Sequence, residues 1–563
     1  MYLLPLRLLS LIGLAFDTAT QPPQPARASS HRRWRPEPIG RVEDSADLDF
    51  LRWRGGATNS RHLSRDNDDE SKAYSLLARA LQERLSDYLE ADGSGAGSLA
   101  EKTTKVVKAF QSLSASQQAF KGLDGAAHEA YQRTHSSDSV IDTTVSGRAK
   151  RSAARASACA DGLGACELIE LVEHPERFKV DDFLKGNHTL GYPSRTVLLN
   201  TTIAPSKVAG GTDYQVKLLV LYEPSYSGGV GIEHGGIGQD EPTIKARGRI
   251  LVLLGDIESN RKLDRITQIL DQKPKLVRIG RGGSEVSSVQ PTLYKVAGSV
   301  LEALEPHVRS HNASAFHFVG RSLAGGVSSL AAAILDGRLT IPGDNKKRKK
   351  KQARGRSNQN QSESMDDAAE DVSSGNEPLV VPLSGLGKDR TSAVTLGAPP
   401  CMSANVQAEF VVSILYGDDV VFRTSQESID RLLKRTSKAL KSAERGGIIG
   451  RQMNRMTDTL SLATSNLKSH AHGSEGEEAR LTVPGRAFLI RPRRLGGGAK
   501  CSMHEVGSQL KGGREALRAV VLWQLNDMLL SRSMWKHHEF ESYVHGIDKV
   551  QLRGFDDGDD DYE

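Results

Sequence analysis

Apolar residues repeat along this chain in two periods, and the switches between them outline its organisation. From Ser71 onward, Tyr74, Leu77, Leu81, Leu85 and Tyr88 fall on one helical face. A glycine–serine break at Gly93–Ser98 follows, and Val106, Val107, Phe110 and Leu113 mark a second helix. Near Arg195 the pattern turns to strands. TVLLNTTI and YQVKLLVLY read as neighbouring strands, and GRILVLLGD at Gly248–Asp256 has the continuous apolar run of a fully buried one. Leu293, Val296, Val300, Leu301 and Leu304 return to helical spacing. Ala315 to Val319 is a short buried strand. The alanine-rich VSSLAAAIL after it is a helix ending at Asp336–Gly337. AVTLGAPP, FVVSILYGDD and GRAFLIRP, Gly485–Pro492, continue the sheet, the last as its final strand, and ALRAVVLWQLNDMLL is the final helix. Strand, helix, strand, turn and helix in this order predict the α/β class. They predict a doubly wound sheet whose strand carboxyl ends carry the site.

Polar stretches divide these elements. The opening MYLLPLRLLSLIGLAF is apolar with one arginine, short for a membrane span and suited to a signal-peptide core over 1–20. Small residues at Thr18–Thr20 offer a cleavage region. A secretory or extracellular destination follows, membrane-associated or not. The basic residues Arg27, Arg32, Arg33 and Arg35 leave organelle import as the alternative. Sequons at Asn187, Asn200, Asn312 and Asn360 permit secretory passage without demanding it. Residues 21–70 are rich in Pro, Arg, Ser and Asp and read as disordered. A helical extension spans 71–132, and 133–158 is a polar, basic linker. The main domain takes 159–342 and 386–552. It is interrupted by a disordered insertion at 343–385 and a helical one at 425–480, and 553–563 is an acidic tail.

Composition narrows the function classes. Aromatics are only 5% and glycines number 54, so part of the 563 residues forms no core. The net charge of +6 is small for this length and the charge is local, so no nucleic-acid partner is expected. KKRKKKQARGR, Lys346–Arg356, reads as a solvated loop rather than a nuclear-localisation or anionic-surface patch. Four cysteines do not make a disulfide scaffold, and Cys159 and Cys166 have no second pair with zinc spacing. The glycine-rich Gly228–Gly238 lacks the lysine and serine of a phosphate cradle. Nothing calls for a metal or an organic cofactor.

The central stretch is AFHFVGRSLAGG, Ala315 to Gly326: strand, tight turn with a serine, then helix. Small residues around Ser322 let strand and helix approach while the hydroxyl projects from the turn. The serine then sits at a helix N-terminus, where unpaired N–H groups can hold an oxyanion. The bland alternative is a glycine-rich turn with an incidental serine. FVGRSLAGGVSSLAA, TLGAPPC (Thr395–Cys401), LYGDDVVFR (Leu415–Arg423) and HHEFESY (His537–Tyr543) occur in this order. Together they resemble the class 3 (fungal-type) lipase family, most of all its diacylglycerol-lipase-type members, over about Val216 to Tyr543.

The resemblance implies an α/β-hydrolase sheet and the chain order Ser…Asp…His. It makes Ser322 the nucleophile. It places the aspartate at Asp419, with Asp418 as neighbour and rival, and the base at His538, with His537 competing. His470, His472, His504 and His545 are outlying rivals. Leu323 and Asp256 would give backbone N–H groups to the oxyanion, with the Asp256 carboxylate pointing away. The substrate class so implied is acylglycerol or phospholipid esters at a membrane or lipid-droplet surface, cleaved through an acyl-serine. Arg321, Ala324, Asp256 and Phe422 depart from the family pattern. They keep open a lipase-like protein that binds lipid or a partner without turnover; a scaffold or nucleic-acid role through Lys346–Arg356 is a third reading. Finally, Ile429–Arg455 reads as a basic amphipathic helix near the site. Its leucines either enter a lipid surface or belong to the core.

Overall fold

The computed structural model describes residues 71–91, 101–115, 117, 145–175, 195–204, 214–224, 248–258, 261–279, 285–311, 313, 315–340, 386–445, 480–495, 498–506 and 527–551. The expectations for 1–70, the Gly228–Gly238 loop, the 343–385 insertion and the 553–563 tail lie outside the described residues.

Eight strands form one sheet: β1 (Thr196–Ile203), β2 (Val216–Glu223), β3 (Arg249–Asp256), β6 (Ala315–Arg321), β7 (Thr391–Leu396), β9 (Val411–Tyr416), β11 (Arg486–Leu495) and β12 (Gly498–Val506), in that spatial order. β4 (Lys275–Arg278), β5 (Val286–Val289), β8 (Met402–Ser403) and β10 (Leu481–Thr482) form a small second sheet. β1 and β2 are neighbours, as their sequences predict, and they run antiparallel. From β3 to β11 the strands are parallel. Seven of the eight β3 residues are buried, matching its unbroken apolar run. The sheet does not end at Gly485–Pro492 as expected; β12 pairs antiparallel with β11 beyond it.

Helices cover both faces, but by different routes. One face carries α4 (Leu263–Leu270), α5 (Pro291–Ser310), α6 (Ser322–Leu335) and α7 (Gln426–Arg445), which belong to connections between parallel strands. Right-handed crossovers with their helices on one face step the strands in one direction. The parallel strands therefore follow their order in the chain, without the reversal a doubly wound sheet would have. That corrects the expected winding within the α/β class. The helical pattern before the sheet holds over α1 (71–80 and Gln82–Ala91) and α2 (101–115). Tyr74, Leu77, Leu81, Leu85, Val106, Phe110 and Leu113 are buried in this same core.

The opposite face is covered by α3 (Val145–Glu173) and α8 (Phe540–Gln551). Residues 145–158 are thus helix, not linker. Ala158, Cys159, Ala165, Cys166, Ile169 and Val172 are buried at helical spacing. Gly162 lies among them, where an added Cβ would meet Ile414 Cδ1 at 2.4 Å. Small side chains bring this helix close to the sheet, which is why it lacks the leucine-rich stripe of an ordinary amphipathic helix. Asp527–Leu530, expected at the end of the final helix, is not helical. Its groups are held instead by tertiary bonds. Leu530 N donates to Gln117 Oε1 (2.8 Å), and Gln117 Nε2 donates to Met528 O (3.0 Å).

The basic helix α7 does not offer its leucines to a lipid surface. Ile429, Leu432 and Leu433 are buried in the core. Arg431 and Arg435 ion-pair with the buried Asp527 at 2.7 and 2.9 Å. These two cations push the Asp527 carboxyl below its ordinary value against the cost of burial. Among the described residues no helix is long and apolar enough to cross a membrane.

Candidate active site

Three parallel strands deliver the site from their carboxyl ends. β6 runs into α6 through Ser322, which takes φ 56°, the left-handed conformation L-residues rarely adopt. That turn aims the side chain off the strand end while α6 starts at once. Gly320 is required by the close approach, since a Cβ there would meet Ser328 Oγ at 2.5 Å and the Ala324 carbonyl at 2.7 Å. Ala324, where the family pattern has glycine, is fully buried without a clash of this kind. Leu323 follows in the first turn of α6, whose amide hydrogens have no intrahelical acceptor.

Past β9, the chain turns through Gly417 to Asp419, which is fully buried. Asp419 Oδ1 accepts from Val421 N (2.7 Å) and Oδ2 from Tyr543 Oη (2.5 Å). His538 ends a short 3-10 turn, Lys536–His538, just before α8. Its Nδ1 lies 3.1 and 3.0 Å from the two Asp419 oxygens, and its Nε2 lies 3.0 Å from Ser322 Oγ. A carboxylate only accepts, so it fixes the imidazole proton on Nδ1. Nε2 is then free to accept from the serine. The rivals separate cleanly. His537 Nδ1 accepts from the Asp418 backbone N–H at 2.9 Å, so that pair supports the loop rather than Ser322. His545 is exposed on α8, His504 lies in β12, and His470 and His472 fall outside the described residues.

A buried ionic cluster backs this constellation, and sequence reading missed most of it. Arg321, the residue before the serine, donates from Nη1 to the His538 carbonyl (3.1 Å) and from Nη2 to Glu173 Oε2 (3.0 Å). Its guanidinium also sits 5.8 Å from the Phe540 ring centroid. Burial opposes the Arg321 charge, but Glu173 outweighs it and holds the pKa above its ordinary value. Arg261 Nη2 pairs with the same Glu173 oxygen at 3.1 Å. The oddity of Arg321 in the motif was the visible signal. Glu173 gave none, because it closes a helix the sequence did not announce. Tyr543 was legible only as the aromatic after the histidine; its hydroxyl holds the aspartate.

Asp256 departs from expectation. It ends β3 with 1% of its surface exposed, and its carboxylate does not point away. Oδ1 accepts from Tyr214 Oη at 2.6 Å, and Oδ2 lies 3.5 Å from Ala324 N at the start of α6. Burial pushes its pKa up to about 6, with Glu173 adding to the rise and Tyr214, Arg321 and Ala324 N opposing it.

Among the described residues no group of His, Cys, Asp and Glu could hold a metal ion. The arrangement suits acyl transfer. The hydroxyl has a base, the base has an orienting carboxylate, and amides without an acceptor inside the helix stand at the helix start beside it.

No protein-family profile matches the chain, and no curated protein matches it. Solved structures similar to it include lipase II from Rhizopus niveus, at 12% identity over 47% of this chain and 74% of that one, with a TM-score of 0.27. Another is the native propeptide complex of Rhizomucor miehei lipase, at 12% identity over 46% and 62%, with a TM-score of 0.26. A third is the triacylglyceride lipase of Rhizomucor miehei, at 10% identity over 46% and 72%, with a TM-score of 0.23.

Proposed function

We propose that the chain is a serine-dependent lipase, a carboxylic ester hydrolase acting on acylglycerol or phospholipid esters through an acyl-serine. The observation that carries the chemistry is the relay Ser322 Oγ, His538 Nε2, His538 Nδ1 and Asp419, each contact 3.0 to 3.1 Å, on a left-handed strand–helix turn. His538 takes the Ser322 proton as Oγ attacks the ester carbonyl carbon. Protonated His538 gives that proton to the leaving alcohol, then takes one from the water that attacks the acyl carbon and returns it to Ser322 Oγ as the acyl bond breaks and the acid leaves. The amide of Leu323 supports the oxyanion. Lipid esters as the substrate class are supported by the ordered motifs of the sequence and their resemblance to class 3 lipases, including the diacylglycerol-lipase type.

Emulsified diacylglycerol and a soluble short-chain ester, given to wild type and to Ser322→Ala, test this. The variant should fold normally and lose on the order of 10⁶ in kcat, the scale known from subtilisin. Unchanged turnover in the variant removes Ser322 from the reaction. Hydrolysis of the soluble ester alone, with diacylglycerol and, in a parallel assay, phospholipid vesicles untouched, removes the lipid class and keeps the chemistry.

A further inference from the structure

The Asp256 carboxyl stands where an ordinary account of acyl transfer has no room for a negative charge. When Ser322 Oγ bonds to the ester carbon, the carbonyl oxygen takes up the electron pair. The start of α6 draws that oxygen, because the first amides of a helix have no acceptor within it. Asp256 Oδ2 is already at this helix start, 3.5 Å from Ala324 N, two residues beyond the nucleophile. An ionised carboxylate would compete for those amides and repel the oxyanion. A neutral one would add an O–H donor.

Everything packed around the group bears on which form is present. Tyr214 donates to Oδ1 and is itself fully buried. Burial, then Asp256 beside it, holds the Tyr214 phenol well above its ordinary pKa, so it stays a donor. Oδ1 holds the short bond at 2.6 Å and Oδ2 accepts only a long one from Ala324 N at 3.5 Å, so the acid proton belongs on Oδ2, the oxygen facing the helix start. Arg261 Nη2 donates to the Asp256 backbone carbonyl at 3.1 Å, not to the carboxyl. Arg321, whose charge lowers the Asp256 pKa, is paired with Glu173, so that guanidinium is shared with another carboxylate. Asp256 thus has no cation of its own. Burial in that setting places its proton loss at about pH 6.

Resting on the lipase reading above, we propose that Asp256 is a catalytic residue whose neutral carboxylic acid donates from Oδ2 to the oxyanion, so that hydrolysis fails as Asp256 ionises. The acid keeps its proton throughout. The bonds that form and break are those of the acyl transfer, and the transferred proton moves only between Ser322, His538 and the leaving alcohol. This side-chain donor takes the place of the backbone donor expected from sequence.

The test is kcat/KM for p-nitrophenyl butyrate from about pH 5 to about pH 9 in wild type, Asp256→Asn and Tyr214→Phe. Circular dichroism establishes that each variant is folded. Wild type should fall about tenfold per pH unit on the alkaline side, as a single required proton is lost. Asp256→Asn carries an N–H donor that does not titrate, so its alkaline fall should disappear. Tyr214→Phe removes a hydrogen bond that favours the ionised form. The Asp256 pKa then rises, and the alkaline fall should move to higher pH. If Asp256→Asn does not fold, Tyr214→Phe decides alone. An alkaline limb kept in Asp256→Asn, a loss by the same factor at every pH, or an unmoved limb in Tyr214→Phe overturns the proposal. Wild type that hydrolyses the ester with no alkaline limb overturns it too and leaves the lipase reading standing. Wild type that neither hydrolyses nor labels at Ser322 with a fluorophosphonate overturns both.

Discussion

The two faces of the central sheet are built by different means and do different work. Helices α5 and α6 lie on one face because the connections between parallel strands put them there, and α6 is buried along its whole length. On the other face lie α3 and α8, which connect no parallel pair. The first face holds the larger core and, at the start of α6, the nucleophile. The second has its own core and also holds the partners of the nucleophile in position. Glu173 at the end of α3 anchors Arg321, Tyr543 on α8 anchors Asp419, and His538 stands just before α8. The comparison teaches that the groups orienting the triad come from helices outside the crossovers, so a substitution deep in the first face can cost stability without moving them.

Arg321→Met tests the second face with the largest expected effect. It leaves buried Glu173 with only Arg261 and releases the His538 carbonyl. Breaking one side of a buried pair costs about 3–5 kcal/mol, and the remaining Arg261 contact favours the lower end. Denaturant melts and turnover should fall together. Leu301→Ala tests the first face. Leu301 is 1% exposed on α5, and emptying such a site costs about 2–5 kcal/mol. The melting temperature should drop while kcat per folded molecule stays. An equal loss of kcat would break the division between faces. Tyr543→Phe gives the smallest change. It removes one hydrogen bond to the Asp419 carboxylate, about 1.5–3 kcal/mol, so kcat should fall by roughly tenfold or more with KM little changed.

The same division decides what was legible in the sequence. β3, β6 and α6 are continuous apolar runs, so their burial could be read directly, and the order of Ser322, Asp419 and His538 was what the resemblance to class 3 lipases implied. The supporting face was harder. In α3 the buried stripe is Ala158, Cys159, Gly162, Ala165, Cys166 and Ile169, mostly small residues, with Gly162 set close against Ile414. A period counted on large apolar residues passes over it. In α8, Phe540, Tyr543, Ile547 and Val550 are spaced helically, yet the histidine motif overlaps them and drew the reading. Asp527–Leu530 was misread for the opposite reason. Its apolar run looks helical, but Gln117 takes its backbone groups and Arg431 and Arg435 take its carboxylate. Tertiary bonds of that kind leave no local signal. Nor does the direction of the Asp256 side chain, which Tyr214 sets from 42 residues away.

The most direct test of the account is covalent labelling with a fluorophosphonate, followed by mass-spectrometric mapping of the modified residue. The Ser322–His538–Asp419 relay predicts one adduct, on Ser322 Oγ, absent from Ser322→Ala and slowed in Tyr543→Phe. A folded wild-type chain that takes no label at Ser322, or takes it on another serine, would contradict the account.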